Sequence, residues 1–300
     1  MPRIDRLTAP LRGAVSALLL CLTTLFWGVP LCLLAAAKPL ALSPALQRAV
    51  THGLDEIAQR WLSTNLIWMR WWLNPRIEAT IPAGVSIDAW WLVISNHRSW
   101  TDIFVLQHAL CRRLSPPRFL VKRELRWLPI VGLAFWAMEF PLLRRSRDAS
   151  ERDLRQMQRM CELARRSPTT FYVFAEGTRF TRAKHDAQRS PHAHLLRPRA
   201  GGCAQVAALL GDRLAGVLDA TLVYRTRQGE PLRLGFWDFL CGRTPPIELH
   251  IQQRALPEWT RHGDYLNDEH YRKRFQAWIN SLWQEKDHLL ASRSGISGIG

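Results

Sequence analysis

Two short apolar runs, each followed at once by a charged block, constrain the fold of this chain most. Residues 90–94 read Trp-Trp-Leu-Val-Ile and residues 171–174 read Phe-Tyr-Val-Phe, which is typical of buried strands. The first run precedes Asn-His-Arg-Ser-Trp-Thr-Asp at 96–102, and the second precedes Glu-Gly-Thr-Arg at 176–179. Because parallel strands bring their carboxyl ends to one edge of a sheet, we expect the two blocks to form one site.

Strand-like and helix-like segments alternate through the rest of the chain. Strands are predicted at residues 90–94, 118–121, 171–174, 218–224, 232–236 and 247–252. Helices are predicted at residues 101–114, 149–166, 202–210 and 268–290. The alternation predicts an α/β fold with a mostly parallel central sheet flanked by helices, in one domain over residues 76–291. The Gly- and Ser-rich tail at 292–300 is predicted to be disordered.

The N-terminal segment has the composition of a membrane helix. Residues 14–37 carry no charge, and a membrane span needs about 20 apolar residues. Arg3, Arg6 and Arg12 precede the segment, which favours a cytoplasmic N-terminus. A cleaved signal peptide is the competing interpretation. Pro30 permits a kink, so both a full span and a turn within one leaflet stay open.

A second helix is predicted directly after this segment. Ser43 and Pro44 have the order of an N-cap and a first helical residue, and apolar residues then recur at helical spacing to about Trp72. The pair at residues 74–75, Asn-Pro, ends the pattern. An amphipathic helix that carries tryptophans suits a membrane interface, although a core helix has the same pattern. Residues 1–75 are therefore predicted to form a hydrophobic membrane anchor followed by an amphipathic helix.

The charge and cysteine patterns bear on partners and compartment. A net charge of +16 indicates either an anionic partner, such as phosphate head groups, an acidic membrane surface or nucleic acid, or an Arg-rich solvated surface. The six cysteines are scattered without a Cys-x-x-Cys pair, as expected for reduced thiols in a cytosol-facing protein. His185, His192 and His194 lie in a polar segment that is predicted to be a flexible loop rather than a metal site.

His97 and Asp102 have the residue types of a general base and the carboxylate that orients it. The chain has no Gly-x-Ser-x-Gly motif, so a substrate hydroxyl is the natural group for this base to activate. Ser99 stays open as the nucleophile of a membrane-tethered hydrolase. Arg179 can bind a phosphate, and further cations surround an apolar stretch at 127–143 that could approach the interface, line an acyl pocket or form a core helix. They are Lys122, Arg123, Arg144, Arg145 and Arg147.

The ordered blocks resemble a known family. Asn-His-x4-Asp at 96–102, Lys-x-Glu-Leu-x3-Pro at 122–129 and Phe-x-Glu-Gly-Thr-Arg at 174–179 are similar to the motifs of PlsC-type 1-acylglycerol-3-phosphate acyltransferases. The sequence of residues 96–102, together with those of residues 196–202 and 219–224, resembles the bacterial YihG-like and lysocardiolipin acyltransferase branch. The resemblance implies an inner-membrane enzyme of phospholipid synthesis or remodelling whose site faces the cytoplasm.

The resemblance also implies residue roles. His97 would be the general base, oriented by Asp102, and the acceptor hydroxyl would attack an acyl thioester without an acyl-enzyme. The donor would be acyl-CoA or acyl carrier protein, the acceptor a lysophospholipid within a phospholipid membrane, with no metal, redox cofactor or nucleic acid. The expected substrate-binding residues are Lys122, Arg144 or Arg145, Glu176, Gly177, Thr178 and Arg179.

Two departures from the family pattern bear on specificity. Glu139 stands where many members carry a glycine, and Asp219 follows Leu218 where the family has an apolar residue and a proline. The acceptor and acyl-chain pockets are therefore expected to differ from those of typical members. Glycerol 3-phosphate or another lysophospholipid is the nearest alternative acceptor, and a catalytically silent protein that binds anionic lipid or nucleic acid is a further alternative.

Overall fold

The computed structural model describes residues 3–111, 113–115, 117–122, 127, 132, 142–143, 151–225, 235–261 and 263–293. The chain divides into two compact units. The first contains Met1–Pro75, Val121–Gln156 and Trp237–Thr244. The second contains Arg76–Leu120, Met157–Phe236 and Pro245–Gly300. The division into an anchor at 1–75, a catalytic domain at 76–291 and a tail stays a prediction.

Helices and strands alternate along the described chain. The helices are α1 (Arg3–Ala37), α2 (Pro44–Trp68), α3 (Thr101–Leu110), α4 (Glu151–Ala164), α5 (Arg182–Gln188), α6 (Gly201–Leu210), α7 (Phe236–Leu240) and α8 (Glu269–Arg293). The strands are β1 (Ile77–Thr80), β2 (Trp90–Ser95), β3 (Pro117–Phe119), β4 (Val121–Lys122), β5 (Leu142–Leu143), β6 (Thr170–Phe174), β7 (Leu214–Tyr224) and β8 (Ile247–Arg254). Most predicted elements are therefore confirmed, within a few residues at their ends.

Two long helices dominate the first unit. The Ser43 hydroxyl accepts a hydrogen bond from the Leu46 amide at 3.2 Å and so caps α2, as predicted. A π-helical turn, Met69–Leu73, extends α2, and Asn74 ends it in the left-handed conformation with φ 43°. Leu31 of α1 packs against Leu54 of α2 in a small buried cluster.

Most of α1 lies outside that cluster and presents exposed apolar side chains. They include Leu18, Leu22, Leu25, Phe26 and Leu33. Within the described part of the chain, the segment Thr8–Leu40 is long enough and apolar enough to cross a membrane. This finding matches the composition on which the predicted membrane anchor rests.

A six-stranded sheet in the order β1-β8-β7-β2-β6-β3 forms the centre of the second unit. Only the β7–β8 pair is antiparallel within this sheet, so the predicted mostly parallel sheet is confirmed. Ser95 at the end of β2 pairs with Phe174 of β6 on one side and Ala220 of β7 on the other. The two charged blocks therefore follow neighbouring parallel strands.

Helices cover both faces of this sheet. Val93 and Leu218 pack with Leu106 of α3 in the main buried cluster. Because successive strand residues point to opposite faces, their neighbours in the chain point the other way. On that opposite face, α6 lies so close to β6 that a Cβ atom at Gly202 would lie 3.7 Å from the Val173 side chain. The result is a three-layer arrangement with a buried central strand β2.

Three local predictions are wrong at some of their residues. His185, in the segment expected to be a loop, lies in α5, because the Thr181 hydroxyl accepts a hydrogen bond from the Lys184 amide and caps a helix. His192 and His194 lie outside the helices and strands, as expected for a loop. Phe236 begins α7 instead of ending a strand, and residues 232–234 lie outside the described residues. Ser292 belongs to α8, which continues to Arg293, whereas residues 294–300 of the predicted tail lie outside the described residues.

Candidate active site

His97 and Asp102 form a hydrogen-bonded pair at the carboxyl end of β2. The His97 Nδ1 atom lies 2.7 Å from Asp102 Oδ2. A carboxylate only accepts hydrogen bonds, so Nδ1 carries a proton, and in the neutral imidazole Nε2 then keeps a lone pair. The Asp102 side chain is 0% exposed and that of His97 is 14% exposed. The pair thus consists of a buried orienting group and a partly accessible base.

Asp102 is held in place by further hydrogen bonds. Its Oδ2 atom accepts the backbone N–H groups of Arg98 at 2.6 Å and Ser99 at 2.9 Å. Its Oδ1 atom accepts the hydroxyl hydrogen of Tyr224, at the end of β7. The loop before α3 therefore folds around the carboxylate, whose position in the first turn of α3 also suits a negative charge. Both oxygens are fixed, which fixes the plane of the His97 ring.

The two charged blocks contact each other through His97. Its backbone N–H donates to Glu176 Oε1 at 3.0 Å, and its carbonyl accepts from the Phe180 amide at 2.8 Å. The His97 ring stacks on Phe174 with ring centroids 4.2 Å apart. The structure thus brings together the blocks at 96–102 and 176–179, as the strand order predicts.

Glu176 is buried and binds backbone amides. The residue is 1% exposed, and its Oε2 atom accepts a hydrogen bond from the Leu196 amide at 3.1 Å. Burial raises the pKa of Glu176 to about 7. Both oxygens accept backbone amides, so Glu176 has a structural role, and the substrate contact expected for it stays a prediction. Glu176 joins the end of β2 to the segment after α5.

A tight turn after β6 carries Arg179 and is contacted by Lys184. Gly177 has φ +66°, a conformation that side chains other than glycine rarely adopt, and its amide donates to the Phe174 carbonyl at 2.9 Å. Lys184 Nζ donates to Thr178 Oγ1 at 2.9 Å and to the Arg179 carbonyl at 3.0 Å. The Arg179 guanidinium lies 5.1 Å from the centre of the Trp100 ring. Two cationic side chains therefore border this turn.

Lys184 was not predicted as a site residue. It lies in the segment that the sequence indicated as a loop, and its approach to Thr178 depends on α5. The capping residue Thr181, three positions before Lys184, is the sequence signal that would have indicated this helix.

The structure does not test the other predicted binding residues. Lys122 lies in β4, in the first unit. Arg144, Arg145 and Glu139 lie outside the described residues. Their roles stay predictions.

Ser99 is not arranged as a nucleophile. The residue is 1% exposed, its hydroxyl donates to Thr101 Oγ1 at 3.0 Å, and it accepts the Thr101 amide at 3.1 Å. A serine nucleophile needs its oxygen beside the base and open to substrate. These contacts turn the hydroxyl toward the start of α3, which argues against the hydrolase alternative.

Asp219, the departure in the fourth block, is part of a buried ion-pair cluster. Its neighbours Leu218 and Ala220 pack on the α3 face, so Asp219 points to the other face. There it forms ion pairs with Lys286 of α8 and, at 3.0 Å, with Arg254 Nε. The Lys286 ammonium also donates to the Ala220 carbonyl at 2.7 Å. Asp219 thus attaches α8 to the sheet.

Comparisons with known proteins agree with this geometry. The family model described as Acyltransferase matches residues 77–224, which include His97, Asp102 and the 176–179 block. The chain is 28% identical over 266 residues to 1-acyl-sn-glycerol-3-phosphate acyltransferase 3 of Arabidopsis thaliana, covering 83% of this chain and 65% of that protein. It is 28% identical over 214 residues to the gamma form of Homo sapiens, covering 66% of this chain and 52% of that protein.

A solved structure shares the fold. The 1-acyl-sn-glycerophosphate acyltransferase PlsC of Thermotoga maritima aligns with a TM-score of 0.50 and 18% identity, over 96% of this chain and 99% of that one. The family match and the relatives show that this chain is similar to acyltransferases, and the solved structure shows the fold that it shares. The chain spans 65% and 52% of the two curated relatives described above. Its assignment to the YihG-like branch stays a prediction.

Proposed function

We propose that this protein transfers a fatty acyl group from a thioester to the free hydroxyl of a lysophospholipid, with 1-acyl-sn-glycerol 3-phosphate as the acceptor and phosphatidate as the product. One observation carries the proposal. A histidine whose Nδ1 is bound by a buried carboxylate lies on the same sheet edge as a glycine turn bordered by Arg179 and Lys184. The first part activates a hydroxyl and the second binds a phosphate.

In the proposed reaction, His97 Nε2 accepts the proton of the acceptor hydroxyl as its oxygen attacks the thioester carbonyl. The new ester C–O bond forms and the C–S bond breaks. The proton on His97 passes to the leaving thiolate, so the base returns to its neutral form. Asp102 stabilises the imidazolium that exists between these proton transfers. No covalent acyl-enzyme is involved.

The phosphate of the acceptor would lie at the turn after β6. Gly177 lets the backbone come close to a ligand, and Arg179 and Lys184 supply positive charge. The Thr178 hydroxyl accepts a hydrogen bond from Lys184 and can add a hydrogen bond to the phosphate. Arg144 or Arg145 would add a second phosphate contact, as the resemblance implies.

The proposed setting is the cytoplasmic side of a cell inner membrane. Thr8–Leu40 would anchor the chain, and the acyl donor would be acyl-CoA or acyl carrier protein. No metal, redox cofactor or nucleic acid takes part in the proposed reaction. The soluble donors would reach His97 from the cytosol.

The test uses the full chain in detergent micelles with acyl-CoA and, separately, lysophosphatidate, lysophosphatidylcholine and glycerol 3-phosphate. We expect phosphatidate as the main product and retained turnover in Ser99→Ala. Exclusive acylation of another acceptor would contradict the proposed substrate. Release of free fatty acid, with a trapped acyl-serine that Ser99→Ala abolishes, would establish the hydrolase instead.

A further inference from the structure

Tyr224 contacts the proposed catalytic pair from a distant part of the sequence. It is the last residue of β7, which pairs with β2 in parallel. Its hydroxyl donates to Oδ1 of Asp102, whereas Oδ2 accepts from His97, Arg98 and Ser99. Tyr224 therefore occupies the side of the carboxylate that the loop before α3 leaves open.

We propose that Tyr224 is a positioning residue of this site, whose hydroxyl fixes the rotation of the Asp102 carboxylate and draws part of its negative charge away from His97. The proposal rests on the proposed function, because it assigns Tyr224 to the base of that reaction. A carboxylate that receives a strong hydrogen bond on one oxygen attracts the imidazolium on its other oxygen less strongly. Removing the Tyr224 hydroxyl would therefore strengthen the attraction between Asp102 and a protonated His97.

The Tyr224 hydroxyl is suited to act as a constant donor. Burial and the neighbouring Asp102 charge raise the pKa of Tyr224 well above its ordinary value, so the phenol stays protonated wherever the enzyme would work. The ring is half-buried at the end of β7, and the last two pairs of that strand with β8 hold its backbone. Strand pairing, rather than a flexible loop, sets the position of the hydroxyl.

Other charged groups around His97 do not substitute for this contact. Glu176, from the turn after β6, is directed at backbone amides of His97 and Leu196. The Arg98 guanidinium lies 4.4 Å from the centre of the Phe180 ring. The negative charges of Glu176, Asp102 and Asp287 of α8 stabilise its positive charge. Among the described residues, Tyr224 is the one whose side chain donates a hydrogen bond to Asp102 Oδ1.

The test is Tyr224→Phe, which keeps the ring and removes the hydroxyl. The matched control is Tyr271→Phe, on α8. It removes a buried hydroxyl that donates to the Thr260 carbonyl at 2.7 Å. Two quantities are measured in the full chain in micelles. One is the protonation of His97 by ¹⁵N NMR of labelled imidazoles, assigned with His97→Gln. The other is the acid limb of the pH–rate profile for acyl transfer.

We expect Tyr224→Phe to move both the NMR titration of His97 and the acid limb to higher pH by about 0.5–1 unit, because the unshielded carboxylate stabilises the imidazolium. Tyr271→Phe should move neither. An unchanged His97 titration in Tyr224→Phe, or an equal change in Tyr271→Phe, would overturn the proposal. If the NMR titration moves but the wild type transfers no acyl group, the contact is established and the proposed function fails on its own.

Discussion

Four other residues, from two parts of the chain, hold His97 in place. Asp102 binds Nδ1, Glu176 and Phe180 bind the backbone on either side of the ring, and Phe174 stacks on its face. A general base needs this fixed orientation, because proton transfer depends on hydrogen-bond geometry. The Asp102 partner is local in sequence, whereas the other three come from the segment around β6.

Lys184 permits a test of the phosphate turn at one side chain. Replacing it with methionine removes a cation next to Thr178 but keeps the helix-capping amide. We expect Lys184→Met to raise KM for lysophosphatidate about 5- to 20-fold, or ~1–2 kcal/mol, with kcat changed less than about 2-fold. Lys273→Met, which removes an exposed lysine paired with Glu269, is the control. Equal KM values in both variants would remove Lys184 from the phosphate site.

Glu176 makes stability depend on pH in a predictable direction. Its pKa is about 7 in the folded protein against an ordinary value of 4.5, so the folded state binds this proton more tightly than the unfolded state. The free energy of unfolding therefore falls as pH rises from about 4.5 to about 7 and is level above that, by roughly 3 kcal/mol in total.

Glu176→Gln removes this titration. Denaturant unfolding of both proteins at pH 5 and pH 7.5 should show that the wild type loses stability relative to Glu176→Gln as pH rises. A difference between the two proteins that is the same at both pH values would contradict the assignment.

At the scale of elements, α8 is attached to the sheet through charge as well as apolar packing. Phe275, Ile279 and Trp283 bury one face of α8. Lys286 extends into the sheet and reaches Asp219 and the carbonyl of Ala220. A buried ion pair is weak evidence for net stability, but a buried charge left without its partner is costly.

Lys286→Met tests this attachment. The substitution leaves the Asp219 charge buried, with Arg254 compensating part of it, so we expect unfolding to become easier by about 2–4 kcal/mol. The double variant Asp219→Leu with Lys286→Met should recover much of that loss. Lys273→Met on the same helix should change the free energy of unfolding by less than about 0.5 kcal/mol. If Lys286→Met is as mild as that control, the cluster does not hold α8.

The central sheet was predictable because its signals are local. Apolar runs define β2 and β6. Outside the sheet, the start of α2 was predictable for the same reason, because the capping pair at residues 43–44 defines it. The helix α5 was missed because its charged residues give no apolar periodicity, and only the cap at Thr181 marks it. The segment 232–236 has the residue types of a strand, but Phe236 opens a helix, because short apolar runs do not distinguish the two.

The site was predictable in its chemistry and less so in its contacts. His97 and Asp102 are five residues apart, so their pairing follows from a short motif. The Tyr224–Asp102 contact joins residues on two strands and depends on the order of strands in the sheet, which sequence periodicity does not give. The two backbone contacts of Glu176 were not predicted, because a motif shows residue types but not which way a carboxylate points.

At the scale of the whole molecule, the account requires stable attachment to a membrane. Leu25 is an exposed residue near the middle of α1, and Leu11 is exposed near its start. An arginine at the centre of a membrane helix costs about 2.5–3.5 kcal/mol, and much less near the interface. We expect the wild type and Leu11→Arg to stay in the membrane pellet after alkaline carbonate extraction, and Leu25→Arg to be partly released. Full extraction of the wild type would contradict a membrane-embedded α1.

The most direct test of the central claim is acyl transfer from radiolabelled acyl-CoA to lysophosphatidate, in membranes that carry equal amounts of the wild type or His97→Ala. The account predicts labelled phosphatidate with the wild type and a loss of about 100-fold or more in His97→Ala, since a general base supplies about 10²–10⁴-fold of rate. Equal product from both proteins would show that His97 is not the base and would contradict the account.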